Sequence, residues 1–180
     1  MATFITNEEG KDLKKRLAEL IKNSMELKFL VGFFYFSGIR ELFQSIIDSP
    51  KLVMKVLVGL NIGSQIYELS EYGNSKENQL SEPERREDFL KSLKIALGSE
   101  RLDTKEFNGQ VFRFVQMLEE NRLMIKKTRE PNHAKLYIFK LNEDKKIIKE
   151  QIFITGSSNF TRAGLADQNE FNIEISDDFA

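Results

Sequence analysis

Cysteine is absent from the 180 residues and histidine occurs once. The chain therefore lacks disulfides, a thiolate nucleophile and the sulfur ligands of most zinc sites, and a lone imidazole argues against a histidine-rich metal centre. An overall excess of positive charge is missing too. With 27 Lys+Arg against 28 Asp+Glu the net charge is −1, so any nucleic-acid contact must come from a local patch. The N-terminus lacks the basic-then-apolar pattern of a signal peptide, and no apolar stretch reaches the length of a membrane span. These absences lead to the expectation of a soluble, cytoplasmic protein.

The chain does have material for a core, since 41% of its residues are hydrophobic and its length is that of one ordinary domain. Asn7 followed by Glu8 and Glu9 reads as a helix start, and Leu13, Leu17, Leu20 and Ile21 recur at helical spacing. Residues 27–36 are short, apolar and aromatic, which predicts a buried strand. Ser37-Gly38 punctuates, and Ile39, Leu42, Phe43, Ile46 and Ile47 predict a second amphipathic helix. Leu52 to Val58 reads as another buried strand ending at Gly59. This order is a βαβ unit on a largely parallel sheet.

Residues 61–106 break the rhythm and are read as an insertion or a lid, with a helix from Glu84 to about Leu97. A helix over Gln110–Asn121 follows, in which Val111, Phe112, Val115 and Leu118 share a face. A short strand is expected at Leu123–Lys127. Lys135–Leu141 and Ile147–Thr155 read as a hairpin around Asn142–Lys145. One helical turn at 162–165 and a last strand, Phe171–Ile175, complete the pattern. Of the 15 phenylalanines, those at 29, 33, 34, 36, 43, 89 and 112 fall in strand or helix-face patterns that predict core packing; Phe160 stays open.

The lone histidine sits in His133-Ala134-Lys135, and Gly156-Ser157-Ser158-Asn159 comes about two dozen residues later. A spacing of two at a strand start puts His133 and Lys135 on one face. Neutral imidazole can attack phosphorus, and imidazolium can protonate a leaving alkoxide. The lysine ammonium can hold a phosphate oxygen. Ser157 and Asn159, emerging from the neighbouring strand, can donate to others. Glu170 can accept from the second ring nitrogen and fix the tautomer. Lys126, Lys127, Arg129 and Arg162 form a candidate patch for a polyanion backbone.

These residues, in this order, resemble the signature of the phospholipase D superfamily: His-x-Lys, then Gly-Ser-x-Asn, then a downstream Glu. Residues 31–38 and 58–60 are similar to PLD-like domains found at the N-termini of bacterial helicases and in some restriction endonucleases. The resemblance implies a single α/β PLD-like domain over residues 1–180, with a mixed, mostly parallel sheet and helices on both faces. It implies a phosphodiesterase, most plausibly a DNA nuclease, that needs no metal or cofactor. His133 would form a covalent phosphohistidine, Lys135 and Asn159 would bind phosphate with help from Ser157, and Glu170 would orient His133.

Two departures from the family pattern carry content. The family aspartate five residues after the lysine is replaced by Lys140. No second histidine motif exists, so a complete site requires a homodimer in which two copies of His133 meet. The chain can also be the N-terminal part of a larger helicase or restriction-type protein. The alternative reading is a non-catalytic DNA-binding or dimerisation module serving an attached ATPase. A lipid phosphodiesterase is disfavoured, because neither an amphipathic basic helix nor an apolar surface run marks a membrane face.

Overall fold

The computed structural model describes residues 2–8, 10–62, 105–144 and 150–176. In it β1 (Ala2–Ile5) leads through α1 (Leu13–Lys22) to β2 (Ser24–Phe34), and α2 (Phe36–Ile47) carries the chain on to β3 (Val53–Ile62). Then come α3 (Lys105–Glu119), β4 (Leu123–Lys127), β5 (Leu136–Leu141) and β6 (Gln151–Gly156). A π-helical turn at Ala163–Asp167 precedes β7 (Asn172–Ser176). The expected helix over 84–97 and the first part of the expected strand at 147–155 lie outside the described residues. No described helix is long and apolar enough to cross a membrane.

The strands form one sheet in the order β1-β7-β6-β5-β2-β3-β4. The α/β class and the mixed sheet agree with the sequence reading, but the balance does not. Only β2–β3 and β3–β4 are parallel, and the other four pairings are antiparallel. The reason lies in the connections. β5, β6 and β7 follow one another through connections too short for a crossover helix of ordinary length, so each reverses direction, whereas parallel neighbours need a crossover.

The described helices share a side of the sheet. The crossovers β1 to β2, β2 to β3 and β3 to β4 all advance the same way across the sheet. Right-handed crossovers that never change direction lay their helices on the same side. Accordingly α1 packs on α2, and Phe36 of α2 meets Phe114 of α3 with ring centroids 5.6 Å apart. The described helices thus cover one face, and the expected helix over 84–97 lies outside the described residues.

Between that helix layer and the sheet lies the core. Leu13, Leu17, Leu20 and Ile21 enter it from α1, and Ile39, Leu42 and Ile46 from α2. From α3 come Val111, Phe114, Val115 and Leu118, with Phe114 in the place expected of Phe112. Alternate strand residues such as Leu27, Phe29, Val56, Tyr137, Phe139, Ile152 and Ile154 face them. Each large apolar side chain buried in this way contributes about 1.5–3 kcal/mol. Phe160 is fully buried and stacks on Phe34 at 5.0 Å, so it belongs to the core.

Three local features differ from the sequence reading. The cap of α1 is Asp12, whose side chain accepts from Lys15 N at 3.0 Å. Asn7, at φ 61°, accepts from Leu13 N at 3.0 Å instead of starting a helix. Gly38 lies inside α2 rather than before it, because a Cβ there would fall 2.5 Å from the Phe160 carbonyl oxygen.

The other face of the sheet is an unbroken register row of Phe4, Ile173, Thr155, Leu136, Leu30, Leu57 and Lys126. Part of it forms an open, mainly apolar cleft of about 450 Å³ with Lys28, Lys55 and Lys126 among its lining residues.

Candidate active site

The carboxyl ends of β2, β3 and β4 converge on one edge of the sheet, the edge where open α/β sheets place their ligands. The chain leaves β4 there and returns as β5 through residues 128–135. This loop is fastened to β3: Thr128 N donates to Val58 O at 2.9 Å and Asn132 N to Gly59 O at 3.0 Å. Gly59 is not the end of a strand, as the sequence predicted. β3 runs on to Ile62, and the glycine admits the loop, since a Cβ there would sit 1.8 Å from the Asn132 carbonyl oxygen. Asn132 Oδ1 then accepts from Ala134 N at 2.8 Å, presenting His133 at the tip.

His133 is exposed, whereas Lys135 is only 5% exposed. The lysine Nζ lies 2.7 Å from His133 Nδ1 and 3.0 Å from Nε2, and it donates to the His133 carbonyl at 2.7 Å. Both residues precede β5 rather than lying on it, so the side chains meet by folding back on the loop. Burial holds the Lys135 ammonium below the usual lysine pKa, and the charge of Glu170 partly offsets that shift. A buried cation against an exposed imidazole is a strong anion attractor, because few other groups satisfy its donors.

β6 ends at Gly156 and delivers Ser157, Ser158 and Asn159 to the same edge. Asn159 Oδ1 accepts from Phe33 N at 3.0 Å, which commits the amide oxygen and leaves its NH₂ group as the side for an anion. Beside it, a Cβ at Gly32 would come within 3.2 Å of Asn159 Oδ1 and 3.3 Å of His133 Cδ2. Gly32 is therefore the point at which the two side chains come together.

The roles expected of Ser157 and Glu170 change. The Ser157 hydroxyl donates to the Glu170 carboxylate and accepts from Phe171 N at 3.0 Å. Glu170 is thus engaged with Ser157, and its predicted hydrogen bond to His133 is not made. Its charge still acts on the site, at Lys135 and at Tyr137, whose buried phenol is pushed far up by burial first and by Glu170 second.

Ser158, between the two motif residues, is held at every polar atom. Tyr137 Oη donates to its carbonyl at 2.7 Å. Its N–H donates to Asn172 Oδ1 at 3.3 Å, and Asn172 Nδ2 donates to its hydroxyl at 2.8 Å. Gly32, Asn132, Tyr137 and Asn172 were not singled out in the sequence. The available signal was a polar residue inside an apolar run, as Asn172 is.

The predicted basic patch is not assembled as one surface. Lys126 and Lys127 are consecutive in β4, so they project to opposite faces, and Lys126 joins the cleft on the open face. Arg162 pairs with Asp167 at 3.1 Å and lies 3.8 Å from Glu41 of α2. Lys127 and Arg129 stay exposed on the segment leading into His133. Lys140, in the place of the family aspartate, is five strand residues from Lys135, or roughly 16 Å. It lines a separate cleft of about 630 Å³ with Glu26, Asp48 and Asn142.

The chain matches one family model. The family model for the cardiolipin synthase PLD-like domain matches residues 63–180, well over half of the chain. That match takes in residues 63–104, which the sequence reading set aside as an insertion or lid and which lie outside the described residues. No curated protein matches. Among solved structures, NucT from Helicobacter pylori is 14% identical, with 99% of this chain and 86% of that chain covered and a TM-score of 0.47. Nuc, a phospholipase D family member from Salmonella typhimurium, is 12% identical, with 98% and 83% covered and a TM-score of 0.47. With the family model spanning the His133, Ser157, Asn159 and Glu170 positions, the chain belongs to the PLD-like domain family of the phospholipase D superfamily.

Proposed function

We propose that this domain is a metal-independent phosphodiesterase that cleaves DNA through a phosphohistidine at His133, completed by the His133 of a second copy. The observation that carries the reading is the buried Lys135 ammonium held against the ring of an exposed histidine, with the Asn159 amide alongside.

In this mechanism an incoming phosphate oxygen accepts from the Lys135 ammonium beside the His133 ring. A ring nitrogen of His133 forms the N–P bond, the P–O bond to the leaving group breaks, and the second copy's imidazolium gives the alkoxide its proton. Water then attacks phosphorus, the second imidazole takes the water proton, and the N–P bond breaks to release a phosphomonoester. Lys135 and the Asn159 NH₂ hold the non-bridging oxygens throughout. Lys127 and Arg129 are the basic residues placed to hold the flanking backbone.

A second reading is favoured by one contact: Glu170 holds Ser157 and leaves the His133 tautomer without a carboxylate. On that reading the site only grips phosphate, and the domain is a DNA-binding or dimerisation module of a helicase or restriction-type protein. Cleavage of plasmid DNA and of an aryl phosphodiester in excess EDTA separates the two. The enzyme reading expects turnover that is lost in His133→Ala while DNA binding is kept. Binding without turnover by folded wild-type protein would establish the module instead. Sedimentation of the active species as a dimer is the companion expectation.

A further inference from the structure

Phe33 falls within an apolar run that reads as buried strand, yet in the structure it is only half-buried. Here the β2–β3 register shifts, with the extra residue on β3: Val31 pairs with Val58 and Phe33 with Asn61. The Phe33 ring stands edge-on to the His133 imidazole, with centroids 6.3 Å apart and planes at 85°. Tyr35, also half-buried, continues the wall with its ring 6.2 Å from that of Phe33. The Phe33 backbone is pinned by its bond to Asn159 Oδ1, so the ring is held in register with the phosphate-binding amide.

We propose that Phe33 and Tyr35 form a base-stacking subsite beside His133, and that the preferred substrate is single-stranded or locally unpaired nucleic acid. The inference rests on the phosphodiesterase reading and names the substrate class of that site. Phosphorus attacked by His133 must lie against the imidazole, so the nucleoside on one side of it falls within reach of the Phe33 ring. A paired base has both faces occupied by its neighbours; an unpaired base can turn out and stack on an aromatic side chain. The wall is sequence-tolerant, since every base has a π-face. It also adds no positive charge, in keeping with a chain of net charge −1.

The test uses the full chain carrying His133→Gln, which blocks turnover while keeping bulk, and compares a fluorescent oligothymidylate with an abasic strand of equal length by anisotropy. Both strands carry the same phosphates, so their affinity ratio isolates the bases. The expected ratio is roughly tenfold in favour of oligothymidylate, falling towards one when Phe33→Leu is added and persisting with Phe33→Trp. If Phe33→Leu does not fold, Tyr35→Leu provides the same comparison. Equal affinities in the parent, or a ratio that Phe33→Leu leaves intact, would overturn the stacking subsite and spare the phosphodiesterase. Failure of the parent to bind either strand would remove the nucleic-acid reading and this inference with it.

Discussion

Replacing Asn172 by alanine tests whether the motif loop is held from beneath. Asn172 and Ser158 are both fully buried, and the amide bonds Ser158 twice, at 3.3 Å to its N–H and 2.8 Å to its hydroxyl. Alanine strands the Ser158 N–H away from water at a cost of about 1–3 kcal/mol. The hydroxyl loses a donor but can rotate, adding about 0.5–1.5 kcal/mol. The sum, about 1.5–4.5 kcal/mol, corresponds to a fall of roughly 3–18 °C in Tm for a domain of this size. Urea unfolding followed by circular dichroism should show a lower midpoint with an unchanged slope. Because Ser157 and Asn159 flank Ser158, kcat should fall as well. Adding Ser158→Ala should cost less than the sum of the two single changes, since both mutations break the same bond. A loss below about 1 kcal/mol, or strict additivity, would refute the argument that this amide holds the loop.

Gly59→Ala should displace the 128–135 loop, because its Cβ would lie 1.8 Å from the Asn132 carbonyl oxygen. About 1–3 kcal/mol of stability is expected to go, with a larger proportional loss of turnover than of Tm. Near-normal activity would show that His133 does not depend on that seat. Arg16 binds both Glu174 oxygens at 2.7 Å and joins α1 to β7, with the carboxylate 12% exposed. Glu174→Gln should cost about 1–3 kcal/mol by denaturant titration, and no measurable loss would relegate the pair to an ordinary surface contact. The depressed pKa of Lys135 sets a pH dependence. Between its folded and unfolded values the unfolded chain binds more protons, so stability rises with pH there relative to Lys135→Met. The alkaline limb of turnover should likewise begin below the ordinary lysine range; a limb confined to higher pH would contradict the role of a buried ammonium.

The motif residues were legible as a group because the chain segment that carries them is nearly continuous. β5, β6 and β7 pair as an antiparallel meander, so sequence order and spacing translate almost directly into proximity. What could not be read was set by long-range contact. Gly38 and Gly59 look like punctuation, yet each is a place where another stretch of backbone presses close. β1 carries four residues, too few to show alternation, and exists by pairing with β7. Phe33 looks like its buried neighbours because its place beside the loop that carries His133 leaves no mark in composition. Glu170 was placed in the right neighbourhood but with the wrong partner. Ser157 is its competitor for hydrogen bonding, and spacing alone does not rank the two.

The bond between Phe33 N and Asn159 Oδ1 joins positions 126 residues apart, and Phe160 N and O reach back to Phe33 and Tyr35 beside it. Closing so long a loop is entropically costly and belongs to the slow part of folding. A chain in which only the C-terminal meander has formed would possess His133, Lys135, Ser157 and Glu170 but would leave the Asn159 amide free to rotate. On the phosphodiesterase reading, competence for chemistry therefore waits for this long-range closure. During refolding the recovery of turnover should lag the recovery of secondary structure.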